Sequence, residues 1–155
     1  MELARNLKVD SISRLRPTPA HCLRPEQTVA DAVFLMTRHR VGCVLICREV
    51  ELIGIFTERD LLARVLAAGL PLTVAVSACM TPAPVVVRPK DSVATAVRHM
   101  EEGGYRHLPV VDETGRPVGV LSVKRIVHYL AEHFPATIYN LPPDPSSFPL
   151  RAEGA

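Results

Sequence analysis

Arg24-Pro25-Glu26-Gln27-Thr28-Val29-Ala30-Asp31-Ala32-Val33-Phe34-Leu35-Met36 returns 64 residues further on as Arg88-Pro89-Lys90-Asp91-Ser92-Val93-Ala94-Thr95-Ala96-Val97-Arg98-His99-Met100, with seven of thirteen positions identical. A repeat of this kind is read before any single element, because it dictates the architecture. The likeness runs on beyond the two segments. Val44-Leu45-Ile46-Cys47 aligns with Leu108-Pro109-Val110-Val111. After one extra residue in the second copy, Gly54-Ile55-Phe56-Thr57 aligns with Gly119-Val120-Leu121-Ser122. The unit is about 60 residues long and occurs twice.

Each copy predicts the same elements. An extended piece, His21-Cys22-Leu23 or Val85-Val86-Val87, precedes a helix opened by a hydroxyl cap, Thr28 or Ser92. Val29, Ala32, Val33 and Met36 follow helical spacing, as do Val93, Ala96, Val97 and Met100. Next come a strand (Val41–Cys47 or His107–Val111), a turn, and a second strand (Leu52–Phe56 or Val118–Leu121). A last helix follows, Glu58–Ala68 or Val123–Glu132. The order β-α-β-β-α places the chain in the α/β (α+β) class. One copy buries too little apolar surface to stand alone. The two repeats are therefore expected to pack as a pseudo-two-fold pair, with clefts between them that also come in pairs. Residues 1–70 are assigned to the first repeat with its leading segment, 71–134 to the second, and 135–155 to a Pro-rich tail.

The tail holds five of the fourteen prolines, a composition at odds with a helix or a central strand. Its apolar residues Ile138, Tyr139, Leu141, Phe148 and Leu150 leave two readings open, a disordered end or a strap across a neighbouring surface.

Composition narrows the function. The chain has 155 residues, 48% of them hydrophobic, which excludes wholesale disorder. A net charge of +2 gives little pull toward nucleic acid or anionic membrane. No apolar stretch reaches the ~18 residues of a membrane span, and the N-terminus carries no secretory signal. The expected location is cytoplasmic. Four cysteines (Cys22, Cys43, Cys47 and Cys79) are too few for a disulfide scaffold, and Cys43 and Cys47 read as buried thiols in a strand. No metal site is expected. Phosphate-loop, dinucleotide, zinc-protease and nucleophile-elbow motifs are absent, so no catalytic set is visible.

The end of the first copy, Gly54-Ile55-Phe56-Thr57-Glu58-Arg59-Asp60, places a hydroxyl and an acid at a helix start. Two readings compete. One is a capping box, with Thr57 and Asp60 satisfying free amides of the first turn. The other is a site in which Asp60 accepts two hydrogen bonds from a vicinal diol, as acids do with ribose. The second copy carries Arg125 at that place, a cation where the helix dipole disfavours one, and an anion-binding pocket accounts for the change. The strand starts differ as well, Arg40-Val41-Gly42-Cys43 against Tyr105-Arg106-His107-Leu108-Pro109. On alternation, Arg106 and His107 point to opposite faces.

The paired repeat, with GIFTERDLL closing the first copy and YRHLPVVD in the second, resembles a tandem cystathionine-β-synthase (CBS) domain pair, from about Val9 to Phe134. Gly-x-x-Thr-x-x-Asp is complete in the first copy and lacks its acid in the second. The resemblance implies a non-catalytic regulatory module that binds an adenosine nucleotide (AMP, ADP or ATP) between the repeats. It implies that Asp60 takes the ribose hydroxyls, that Thr57 lies beside ribose and phosphate, and that Ile55 flanks adenine. From the opposite repeat, Thr81 and Val85 wall the base, and Tyr105, Arg106, His107 and Pro109 lie near base and phosphate. Lys124 and Arg125 are expected to reach phosphates in that cleft. One good site and one degenerate site follow, because the other cleft lacks the acid and the strand basics. A homodimer is implied, with helix faces such as Leu61-Leu62 and Val65-Leu66 at its interface, together with an effector protein that the sequence does not name. Alternatives are a ligand-free structural or dimerisation module, and another adenosyl ligand such as NAD or S-adenosylmethionine.

Overall fold

A computed structural model describes residues 2–139. Helix α1 (Glu2–Val9) and a 3-10 turn (Ile12–Leu15) lead into β1 (Cys22–Leu23), α2 (Val29–His39), β2 (Cys43–Arg48) and β3 (Glu51–Thr57). Helix α3 (Glu58–Asp60) continues as a π-helix, Leu61–Leu66. The second half follows with a 3-10 turn (Val76–Ala78), β4 (Thr81–Pro82), α4 (Val93–Gly103), β5 (His107–Val111), β6 (Pro117–Ser122), α5 (Val123–His133) and α6 (Pro135–Tyr139). The two β-α-β-β-α repeats of the sequence are present and packed as a pair.

The first sheet has the order β1-β2-β3-β4, with β1 parallel to β2 and the other pairs antiparallel. The second repeats this plan with β5 and β6 at its centre. Val87 bridges Val110 in parallel and Thr18 bridges Val120 antiparallel. The side chains explain the sandwich. Val44, Ile46 and Phe56 pack with Val29, Ala32 and Met36 of α2. Their strand neighbours Cys43, Leu45, Cys47 and Ile55 alternate to the other face and meet Val120 of the second sheet. Strand β2 is thus buried on both faces, which is why its sequence is a continuous apolar run.

The halves exchange their leading turns. Ile12 and Leu15 lie in the second core with Val93, Ala96, Met100, Leu108 and Leu121. Val76 and Cys79, 64 residues on, lie in the first. Backbone bonds repeat the exchange. Ile12 N–H donates to Asp91 C=O at 2.9 Å and Val76 N–H to Gln27 C=O at 2.7 Å. Val93 N–H donates to Asp10 C=O, and Val29 N–H to Val74 C=O, both at 3.0 Å. The leading segment assigned to the first repeat therefore docks on the second. A buried latch reinforces it, with the Tyr129 hydroxyl and the Arg14 guanidinium both donating to the Asp10 carboxylate.

Other expectations need correcting. The helix expected over 58–68 is a π-helix from Leu61, where Ala67 N–H reaches back five residues to Leu62 C=O at 2.9 Å. That register buries Val65 and turns Leu61 onto the core, leaving only Leu62 and Leu66 exposed from the face proposed for an interface. Val97 is exposed, not core. Residues 135–139 form a helix, because a proline at the first helical position loses no hydrogen bond. The rest of the Pro-rich tail, 140–155, lies outside the described residues.

Candidate functional site

Two clefts open between the halves. The smaller encloses about 490 Å³ and is lined from the first repeat by Ile55, Thr57, Glu58, Arg59, Asp60 and Arg64. Thr81 to Val85 and Gly103 to His107 complete it. The larger encloses about 1050 Å³. By the pseudo-two-fold, it places the head of α5 opposite the start of β2.

Eight of the sequence candidates meet at the smaller cleft: Ile55, Thr57, Asp60, Thr81, Val85, Tyr105, Arg106 and His107. Lys124 and Arg125 line the larger cleft instead. The symmetry requires this, since a helix head and the strand start it faces always belong to opposite repeats. Pro109 lines neither cleft. It is buried in β5, paired with Val120.

Asp60 is only 6% exposed, held at the base of the smaller cleft by a complete capping box. Thr57 N–H donates to Asp60 Oδ2 at 3.0 Å, the Thr57 hydroxyl donates to the same oxygen at 3.1 Å, and Asp60 N–H donates to Thr57 Oγ at 3.2 Å. Asp60 Oδ1 accepts from the Thr81 hydroxyl at 3.2 Å, and Arg64 Nε lies 3.4 Å away. The local reading of the motif is therefore real. It does not exhaust the acid, because Oδ1 faces groups from outside its own turn. In the second repeat Ser122 Oγ caps α5 alone, accepting from Arg125 N–H at 3.1 Å. The Arg125 side chain turns to Arg16 C=O at 2.9 Å. A helix start here needs the hydroxyl and not the acid, so Asp60 is free to have a further role.

Arg59, Arg64 and Arg106 give the smaller cleft three guanidiniums against the carboxylates of Glu58 and Asp60. Sequence reasoning missed Arg59 and Arg64. The signal for Arg64 was its place four residues after an acid on a helix, where opposite charges meet.

His107 lines both clefts, as does Glu58. The two form a shared wall. Arg106 precedes the strand, so the alternation expected for the pair does not apply, and both residues line the smaller cleft. The approach of His107 depends on Gly42, since a Cβ there would lie 2.8 Å from its Nε2. Burial pushes the His107 pKa down, the Glu58 carboxylate opposes the shift, and the Arg106 guanidinium adds to it. The shift favours the neutral ring. The larger cleft is more basic than expected: besides Lys124, Arg125 and His107 it contains Arg40, His21 and His128.

The cysteines are free. Cys43, Cys47 and Cys79 are buried and Cys22 is exposed. Cys22 pairs beside Leu45 of β2, on the same strand face as Cys47. A hydrogen bond from Cys47 lowers the Cys22 thiol to about 7, whereas burial pushes Cys43 up to about 12. Iodoacetamide labelling read by peptide mass spectrometry is thus expected to reach half its plateau rate at Cys22 near pH 7, with the thiolate gained as pH rises. Cys43 stays unlabelled in the native protein. A Cys22 rate that rises only above about pH 8.5, the range of a free thiol, would contradict the pairing.

Among the described residues no three His, Cys, Asp or Glu side chains cluster as metal ligands do, and no helix is long and apolar enough to cross a membrane.

A doubled β-α-β-β-α fold with clefts between its halves defines a class of two-repeat proteins, and comparison with known proteins gives the family. The CBS domain model matches twice, at residues 12–67 and 76–132. The chain belongs to the CBS domain family as a tandem pair. It is 42% identical over 97 residues to the meiotically up-regulated gene 70 protein of Schizosaccharomyces pombe, covering 62% of this chain and 13% of that one. The chain thus spans a small part of that relative. Among solved structures, the CBS domain protein PAE2072 from Pyrobaculum aerophilum complexed with AMP matches with a TM-score of 0.71 and 26% identity, covering 79% of this chain and 99% of that one. CBSX2 in complex with AMP matches with a TM-score of 0.67 and 27% identity, covering 79% and 96%.

Proposed function

We propose that this chain is a non-catalytic regulatory module that binds one adenosine nucleotide (AMP, ADP or ATP) in the smaller cleft. Occupancy then biases the relation of the two repeats toward a partner protein. The observation that carries the reading is the meeting of Asp60, from one repeat, with Arg106 and His107, from the other, around a cleft of about 490 Å³. That volume is within the range of about 300–1,000 Å³ usual for small-molecule sites. Asp60 offers the acceptor a vicinal diol needs. Ile55, Pro84 and Val85 offer apolar surface to a base, and Arg59, Arg64 and Arg106 offer charge to a phosphate.

The larger cleft has Arg125 where a ribose needs an acceptor, so it does not take the same ligand in the same pose. Calorimetric titration of the protein with AMP is expected to give one site per chain. Two equal sites, or no heat and no shift in melting temperature with AMP, ADP or ATP, would overturn the reading. NAD and S-adenosylmethionine share the adenosine and are competitors in the same titration. Association into a homodimer belongs to the same proposal. Leu62 and Leu66 on the π-helix and Val123 and Val127 on α5 leave apolar residues exposed on both halves, Leu62 and Val127 at equivalent positions.

A further inference from the structure

Three of the four acceptor positions of the Asp60 carboxylate hold hydrogen bonds, and an ion-pair partner stands against the fourth. A carboxylate oxygen offers two lone pairs. Those of Oδ2 take the amide and hydroxyl of Thr57, and those of Oδ1 face the Thr81 hydroxyl and Arg64 Nε. A vicinal diol donates two hydrogen bonds, so the acid receives it only when Arg64 or a bound donor gives way. The Thr57 bonds close the helix cap. Thr81 is held in β4 by its pairing with Ile55. Arg64 is the movable partner, with a long side chain 48% exposed to solvent. Its far end donates to Met80 C=O at 2.7 Å. Met80 in turn packs its Sδ where a Cβ on Gly54 would lie 2.3 Å away, so the sheet position is shaped around it.

We propose that Arg64 is a latch that reads phosphate, an inference that rests on the nucleotide reading above and deepens it. Its guanidinium lies against the acid that ribose needs. Ribose displaces it, and the displaced cation requires a new partner. A nucleotide brings one, and Arg64 joins Arg59 and Arg106 on the wall of the same cleft. A neutral nucleoside brings none, so the cost of breaking the ion pair is not offset. The cleft thereby selects phosphorylated adenosine over adenosine by leaving a charge unpaired in the wrong complex. Release of Arg64 also frees the Met80 carbonyl at the entry to β4, the link between the repeats.

The test compares AMP and adenosine binding by calorimetry in the wild-type protein and in Arg64→Gln. The wild type is expected to prefer AMP by at least about tenfold, and the variant to lose that preference through weaker AMP and tighter adenosine binding. An unchanged AMP-to-adenosine ratio, or adenosine binding weakened in Arg64→Gln, overturns the proposal. A purely structural Arg64 would weaken both ligands together. Should Arg64→Gln misfold, the Arg64 Nε–H resonance of the wild type decides: a shift on AMP addition supports the latch, and no shift refutes it. A wild type that binds neither ligand overturns the nucleotide reading itself, a failure recognisable before any variant is made.

Discussion

Asp60→Asn is expected to yield a folded protein that has lost its affinity for adenosine nucleotides. Asn keeps one side-chain oxygen, and that oxygen still accepts the Thr57 amide that closes the cap. The variant loses the charge that Arg64 pairs with and replaces an acceptor oxygen by an NH2 donor facing the Thr81 hydroxyl. The stability cost is about 1–3 kcal/mol, because Asp60 is nearly buried and its hydrogen bonds are charge-assisted. Binding suffers more. Two ribose hydroxyls that donate to a carboxylate find only one oxygen, uncharged and already engaged. A loss of about a hundredfold or more in AMP affinity follows if each lost charged hydrogen bond is worth about 1.5–3 kcal/mol. Calorimetry at a temperature well below the melting midpoint separates the two effects. AMP affinity within threefold of wild type would refute the assignment of Asp60.

Phe56→Ala is expected to have the largest effect on stability, about 3–5 kcal/mol. Phe56 is fully buried near the C-terminal end of β3, packed among Val29, Ala32, Met36 and Val76. The loss compares with a total of about 5–15 kcal/mol for a typical domain, so the variant stands near the edge of folding. The form of the transition is as informative as its midpoint. Val76 comes from the second half of the chain and lies in the first core, while Ile12 comes from the N-terminus and lies in the second. Loosening the first core therefore loosens the turn that opens the second half. Urea unfolding followed by circular dichroism is expected to show one transition with an unchanged slope and a lower midpoint. Two separated transitions would show that the halves unfold independently. Phe34→Ala is the control, since Phe34 is 61% exposed on α2 and its loss is expected to cost under about 0.5 kcal/mol.

Much of the site was legible in the chain. The Gly-x-x-Thr-x-x-Asp stretch of the first copy and the Tyr105-Arg106-His107 start in the second are local patterns, and the resemblance pairs them across one cleft. Lys124 and Arg125, expected beside the phosphates of that cleft, line the other one. They occupy the second copy's version of the place where Thr57 to Asp60 stand in the first, so they face the first copy's strand start. The resemblance implies Pro109 at the base and phosphate, but two residues after His107 along β5 the chain has already entered the core. Arg64 went unnoticed because the pairing of a helix acid with the residue four places on looks like ordinary surface electrostatics. Its contact with Met80 C=O joins residues on two elements.

By itself the sequence determined the doubling, the order of elements and the core faces of the two helices. Val29, Ala32 and Met36 and their counterparts Val93, Ala96 and Met100 are buried alike because periodicity is a property of neighbouring residues. Tertiary structure alone decided the exchange of the leading turns, the π-helical register that buries Val65, and the distribution of charges between the clefts. Each depends on contacts between residues distant in the chain, whose free energies no local pattern encodes. The larger cleft, whose strand Val41-Gly42-Cys43 carries no functional group of its own, is the more basic of the two because folding brings Arg40, His107, Lys124 and Arg125 to it.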